Sequence, residues 1–223
     1  MRLTERDHAE VNAAVMAAEA RTDGEIVTIV APSSDSYHDV VLHWAMLLVF
    51  LVLALVALRP DILLSLRAML DGGWRHEYPQ GELLTALLLL LAVKFLAARL
   101  AFAWMPLRML LTPRATKARR VRRRALSYFK VGTEHRTASR TGVLLYLSLA
   151  EHQAEIVADA AIHAKVAPET WGDAMAALIE AVRDGRPGDG MAAAVEQIGA
   201  VLAEHFPRTD TDPNELPDRL IAL

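Results

Sequence analysis

The sequence predicts an α/β domain with a small mixed sheet, interrupted by a two-helix transmembrane hairpin, and three observations carry that prediction. Val40 to Leu58 runs nineteen residues without a charge, and Leu83 to Trp104 makes a second apolar stretch of similar length. A hydrocarbon core of ~30 Å takes about 20 helical residues to cross, so both stretches suffice. The third observation is a pair of strand-like runs, Glu25 to Val30 and Gly142 to Leu149, that lie on opposite sides of the hairpin. The soluble parts before and after it therefore share one side of the bilayer.

Each element has a local reason. Thr4 followed by Glu5 and Asp7 starts a helix with acids in its first turn, and Val11, Val15 and Ala18 stripe it as far as Arg21. Asp23-Gly24 turns the chain into the β-branched run from Glu25, which Pro32 to Ser36 ends. Between the spans, Ile62 to Leu70 is too short to cross and reads as a surface-lying amphipathic piece, with Trp74 and Tyr78 suited to the interface. Thr112-Pro113 opens a basic helix reaching about Phe129. Gly142 to Leu149 is apolar enough for a central strand, and Glu155 to Ala158 returns beside it after the short link Glu151 to Gln153. Trp171, Met175, Leu178 and Val182 mark a helix from Pro168 to Gly185, a loop follows to Gly190, and Met191 to Phe206 is the last helix. The expected organisation is a discontinuous domain, 1–37 with 112–206, a hairpin insertion, 38–111, and a polar tail, 207–223.

The 223 residues leave roughly 150 outside the hairpin, enough for one modest core. The formal net charge of −3 hides a basic run from Arg114 to Arg124 followed by an acidic remainder, and nucleic acid is not the expected partner. With no cysteine, disulfides, thiol catalysis and thiolate metal sites are excluded. Met1 to Glu10 is charged and has no apolar stretch of its own, so the first span is expected to act as the signal.

Arg108, Arg114, Lys117, Arg119, Arg120, Arg122, Arg123 and Arg124 follow the second span, whereas Arg59, Arg67 and Arg75 in the connecting loop are offset by acids. The positive-inside rule then puts both termini in the cytoplasm, in a bacterial inner membrane. Arg114, Lys117, Arg119, Arg120, Arg122, Arg123 and Arg124 are candidates for anionic lipid, at ~1 kcal/mol per basic residue near the surface. Lys94 and Arg99 interrupt the second span and His43 sits in the first. Basic side chains near a helix end reach back to the headgroups, which accounts for Arg99 and less comfortably for Lys94.

Thr22-Asp23-Gly24-Glu25-Ile26-Val27, His135-Arg136-Thr137, Arg140-Thr141-Gly142-Val143-Leu144-Leu145-Tyr146 and Glu155-Ile156-Val157-Ala158-Asp159-Ala160-Ala161-Ile162-His163, with Trp171 downstream, resemble the TPM domain family. That family takes its name from a thylakoid lumen phosphatase-like protein, a photosystem II repair protein and a nematode acetylcholine-receptor accessory protein. The resemblance covers most of the chain outside the hairpin and implies a three-layer α/β/α fold. It mixes phosphatase-like with accessory proteins, so it does not select an activity. Many members carry membrane segments after the domain, whereas here the hairpin is inserted within it.

With the first two strands parallel and the third antiparallel to the second, the strands' carboxyl ends run straight into the membrane segment. The opposite edge gathers Asp23, Glu25, His135, Arg136, Thr137, Arg140, Asp159 and His163. Those groups either hold a divalent cation, calcium or magnesium, or a phosphate-bearing ligand, or they cap and pair to fix turns. There is no Gly-x-Ser-x-Gly elbow and no phosphate-cradling Gly-x-x-x-x-Gly-Lys, and Asp210-Thr211-Asp212 follows Pro207 rather than a buried strand. The leading expectation is a membrane-anchored binding domain, accessory to other membrane proteins or sensing a small ligand, with membrane lipids, other membrane proteins and a further copy of the chain as its candidate partners. A metal-dependent phosphatase is second. A transport component, resting on Lys94 and His43, is third and would require a homo-oligomer, because two helices enclose no pathway.

Overall fold

The computed structural model describes residues 3–73, 77–132, 141–209 and 219–223. In chain order the elements are α1 (Glu5–Glu19), β1 (Glu25–Ala31), α2 (His38–Leu58), α3 (Asp61–Leu70), α4 (Gln80–Ala101), α5 (Met105–Leu111) and α6 (Arg114–Gly132). Then come β2 (Gly142–Ser148), β3 (Gln153–Ala158), α7 (Ala160–His163), a 3-10 turn (Pro168–Trp171), α8 (Gly172–Arg183), α9 (Pro187–His205) and β4 (Ile221–Ala222). They form two compact units, one of residues 1–35 with 114–223 and one of 36–113.

The first unit is a three-layer α/β/α domain around a four-stranded sheet of order β3-β2-β1-β4. β1 and β2 are parallel over seven residues, from Glu25 opposite Gly142 to Ala31 opposite Ser148, and β3 runs antiparallel to β2. The pleat sends alternate residues to opposite faces. Ile26, Val30, Val143, Leu145 and Leu147 join α1, α8 and α9 in one core. Val27, Ile29, Ala31, Leu144 and Tyr146 face the other way, onto Val121, Ala125 and Phe129 of α6. Both central strands are buried throughout, which is why they read as continuous apolar runs.

Several local features depart from the sequence reading. α9 begins at Pro187, inside the expected loop. Proline suits a first helical position, and the glycines there serve close packing. A Cβ on Gly188 would lie 2.5 Å from Cβ of Asp7, and one on Gly190 would lie 2.7 Å from Cβ of Ala181. Helical structure between Pro168 and Trp171 is 3-10, and the one-turn α7 was not expected at all. The expected tail ends in β4, which pairs in parallel with β1 and is preceded by buried Leu220. Residues 210–218, including Asp210, Thr211 and Asp212, lie outside the described residues.

The second unit holds two helices long and apolar enough to cross a membrane. α2 has 21 residues and mean hydropathy 2.8, α4 has 22 and 2.2. At 1.5 Å per residue each is about 30 Å long. Only 17% and 6% of their apolar windows are buried, so the described residues leave most of their apolar surface uncovered. α4 stops at Ala101, three residues short of the expected Trp104, where a turn leads into α5. Arg108 closes this corner: its guanidinium donates to the carbonyls of Phe102 (2.6 Å), Ala103 (2.8 Å) and Ser36 (2.7 Å), so the beginning and end of the insertion share one cation. Thr112, expected to cap α6, instead donates its hydroxyl back to Arg108's carbonyl at 2.7 Å. His43 bonds through Nδ1 to the Asp39 carbonyl of its own helix, and Lys94 is exposed. Trp74 lies outside the described residues.

A separate core in the first unit makes its independence testable. Asp35 meets Arg120, and Arg120 is six residues into α6 from Arg114, about 9 Å of helix. A flexible linker of about eight residues, with a root-mean-square span of about 16 Å, reaches across. Replacing 36–113 by such a linker is expected to leave a soluble protein with a cooperative thermal transition. An unfolded product at every linker length up to about twice that would count against a discontinuous domain.

Candidate functional site

The amino ends of β1 and β2 and the carboxyl end of β3 share one edge, so the topology collects Asp23, Glu25, Thr141, Gly142 and Asp159. Asp23 sits in the turn before β1. Its carboxylate accepts the Thr209 amide at 2.6 Å and the Thr209 hydroxyl at 2.9 Å, while its carbonyl accepts the Thr141 hydroxyl at 2.8 Å. Glu25 is buried at the start of β1 and donates its amide to the Thr141 carbonyl. Asp159, 8% exposed, takes the Gly142 amide on Oδ2 at 3.0 Å and returns its own amide to the Gly142 carbonyl at the same distance. Two of the expected ligand carboxylates therefore hold chain segments together across this edge. His135, Arg136, Thr137 and Arg140 lie outside the described residues.

His163 does not join Asp23 and Glu25. It is exposed at the end of α7 and lines a groove of about 450 Å3 that runs along β3 between α6 and α8. Apolar walls come from Leu126, Phe129, Ile156 and Met175, and polar groups from Arg122, Lys130 and Glu155. Trp171 closes one side with its ring buried, and its indole nitrogen is shielded from solvent with no hydrogen-bond partner among the described residues. Burial raises the Glu155 carboxyl above its ordinary range, against the opposing pull of its ion pair with Arg122.

The opposite edge carries a buried polar network that sequence reasoning missed. The Ser34 amide donates to Glu151 Oε1 at 2.9 Å, the Ser148 hydroxyl donates to Glu151 Oε2, and the Tyr146 and Ser34 hydroxyls are 3.1 Å apart. Burial pushes the Tyr146 phenol up, which keeps it neutral. Acid and serine in the links after β1 and β2 were the available signal, but nothing local says that residues more than a hundred apart meet.

The basic helix divides by partner. Arg120 and Arg123 grip Asp35 at 2.9 and 3.3 Å, Arg122 pairs with Glu155, and Arg124 donates to the Ser34 carbonyl at 3.0 Å. Arg119 donates weakly to its own helix, at 3.4 Å to Ala115. Arg114 and Lys117 line a separate cavity. Among the described residues one group of carboxylates converges closely enough to hold a cation, Asp7, Glu10 and Asp189, whose oxygens lie within 4.8 Å of one another. The sequence reading did not select it. Asp7 already accepts from Thr4 in a capping box and Glu10 from Arg6, so two of the three have structural work.

Comparison with known proteins agrees with this architecture. Residues 106–201 match the TPM domain, a stretch that takes in α6, β2, β3, α8 and most of α9 and leaves α1 and β1 before the insertion. The fold is similar to the NMR structure of the BA42 protein from the psychrophilic bacterium Bizionia argentinensis, with a TM-score of 0.53 and 16% identity. That alignment covers 100% of this chain and 97% of the other, and at such identity it speaks for the fold alone. No curated protein matches the chain.

Two measurements test the roles assigned here. Asp159→Asn keeps shape but loses the charge that receives the Gly142 amide, and it is expected to lower stability by roughly 1–3 kcal/mol in chemical unfolding. An unchanged midpoint would remove Asp159 from the structural group. For Glu155 the folded carboxyl holds its proton to higher pH than the unfolded one, so its contribution falls as pH rises from the ordinary glutamate range through the folded value. Glu155→Gln should flatten that part of the stability profile relative to wild type. Parallel profiles would show that burial does not govern this group.

Proposed function

We propose that this chain, built around its match to the TPM domain, is an integral inner-membrane protein of bacteria whose cytoplasmic domain works by binding, as an accessory to other membrane proteins or as a sensor of a ligand. The observation that carries the membrane part is the pair of apolar helices with outward faces left uncovered. Binding is favoured over catalysis by the state of the conspicuous acids. Asp23 and Asp159 already accept hydrogen bonds from the fold, whereas the groove beside His163 offers apolar walls edged by Arg122, Lys130 and Glu155.

Orientation follows from charge. The basic residues after α4 and α5 outnumber those between the spans, so both termini are assigned to the cytoplasm. Reporter fusions at Phe206 and at Gly73 are expected to report opposite sides, and the same side for both would sink the assignment. Purification of the full chain from native membranes should retain a membrane-protein partner at stable stoichiometry. Phosphatase turnover by purified protein that disappears in Asp159→Ala, with the fold retained, would replace the binding reading by the enzymatic one.

A further inference from the structure

Where α6 begins, the turn from β2 to β3 and the end of α8 meet it around a polar cavity of about 300 Å3. Its wall consists of Arg114 and Lys117 from α6, Glu151 and His152 from the turn, Gln153 at the start of β3 and Arg183 at the end of α8. Two helices remote in sequence thus bring three permanent cations to one space beside the β2–β3 turn. Arg120, Arg122 and Arg123, farther along the same helix, each pair with an acid, but among the described residues Arg114, Lys117 and Arg183 make no ion pair. The carboxylate in the wall, Glu151, is 5% exposed and already accepts from the Ser34 amide and the Ser148 hydroxyl.

Two further features mark this arrangement, in which Arg114, His152 and Arg183 are exposed to solvent. Arg114 and Lys117 occupy the first turn of a 19-residue helix, whose positive end disfavours cations, and no acid in that turn offsets them. His152 adopts φ 47, a left-handed conformation uncommon outside glycine. Its strained backbone places an imidazole at the cavity wall.

We infer that this cavity binds a phosphoryl group, as a phosphate monoester carried either by an anionic lipid headgroup or by a soluble ester. Guanidinium groups engage phosphate oxygens in bidentate fashion, lysine supplies a compact charge, and His152 and Gln153 add donors. The volume lies at the small end of ligand sites, with room for the phosphoryl group and the first atoms of its carrier. The assignment stands apart from the accessory reading, and only its lipid source rests on the membrane reading. It also narrows the basic run: Arg114 and Lys117 act with Arg183, His152 and Gln153 from elsewhere in the fold.

The test uses the full chain purified in an uncharged detergent, titrated calorimetrically with inorganic phosphate and with glycerol 3-phosphate. Saturable binding is expected, weakened about tenfold or more in Lys117→Gln and in Arg183→Gln and unchanged in Arg119→Gln. His152→Gly, which relieves the backbone, should weaken binding severalfold without lowering the melting temperature. Absence of saturable binding to both probes, or equal weakening in Arg119→Gln, would overturn the site. Titration with glycerol 3-phosphate is then repeated in nanodiscs of phosphatidylcholine with and without about a fifth phosphatidic acid. Binding abolished by phosphatidic acid assigns the lipid source, binding retained assigns the soluble ester, and either result upholds the site. Release of the chain from native membranes by alkaline wash would defeat the membrane reading separately, leaving the detergent titrations as they stand.

Discussion

Parallel pairing of β1 with β2 is the constraint on which the rest of the first unit depends. Seven residue pairs set the register, and the register decides which side chains face α1, α8 and α9 and which face α6. A slip by one residue would exchange the two faces and leave both cores mismatched. Parallel neighbours also need a crossover connection, and here the crossover contains the apolar unit and α6. The covering helix α6 meets that requirement, and the apolar unit is accommodated within the same connection.

α6 reconciles two demands through its spacing. Val121, Ala125 and Phe129 recur every fourth residue and form the stripe that meets the sheet. The arginines on the remaining surface then fall within reach of Asp35, Glu155 and the Ser34 carbonyl. Exposed pairs of this kind contribute little individually, and Arg122 is 67% exposed. Their geometric effect is larger, because they fix where the chain leaves β1 relative to the helix that returns toward the sheet.

Central strands, amphipathic helices and the two long apolar helices were legible because each has a local cause: β-branched runs, apolar spacing, or length without charge. The capping acids of α1 were legible for the same reason, and Asp7 does close a capping box with Thr4. β4 was not, since two residues carry no pattern and their pairing depends on the exposed edge of β1. Pro187-Gly188-Asp189-Gly190 looked like a loop because glycine signals flexibility in isolation, whereas here it permits helices to approach. At the polar edge, the location of Asp23, Glu25 and Asp159 followed from strand order. Their hydrogen-bond partners did not, because Thr209 and Gly142 are chosen by tertiary contact.

The insertion between β1 and β2 has a consequence for how the protein is made. Glu25 and its partner Gly142 are separated by more than a hundred residues, including both apolar helices. At ~5–20 residues per second, synthesis leaves β1 without its neighbour for on the order of ten seconds. Throughout that interval the run Glu-Ile-Val-Thr-Ile-Val-Ala has the composition of an aggregation-prone strand. On the membrane reading proposed above, the helices insert before the sheet is complete, and a defect in targeting then appears first as misfolding of the α/β unit.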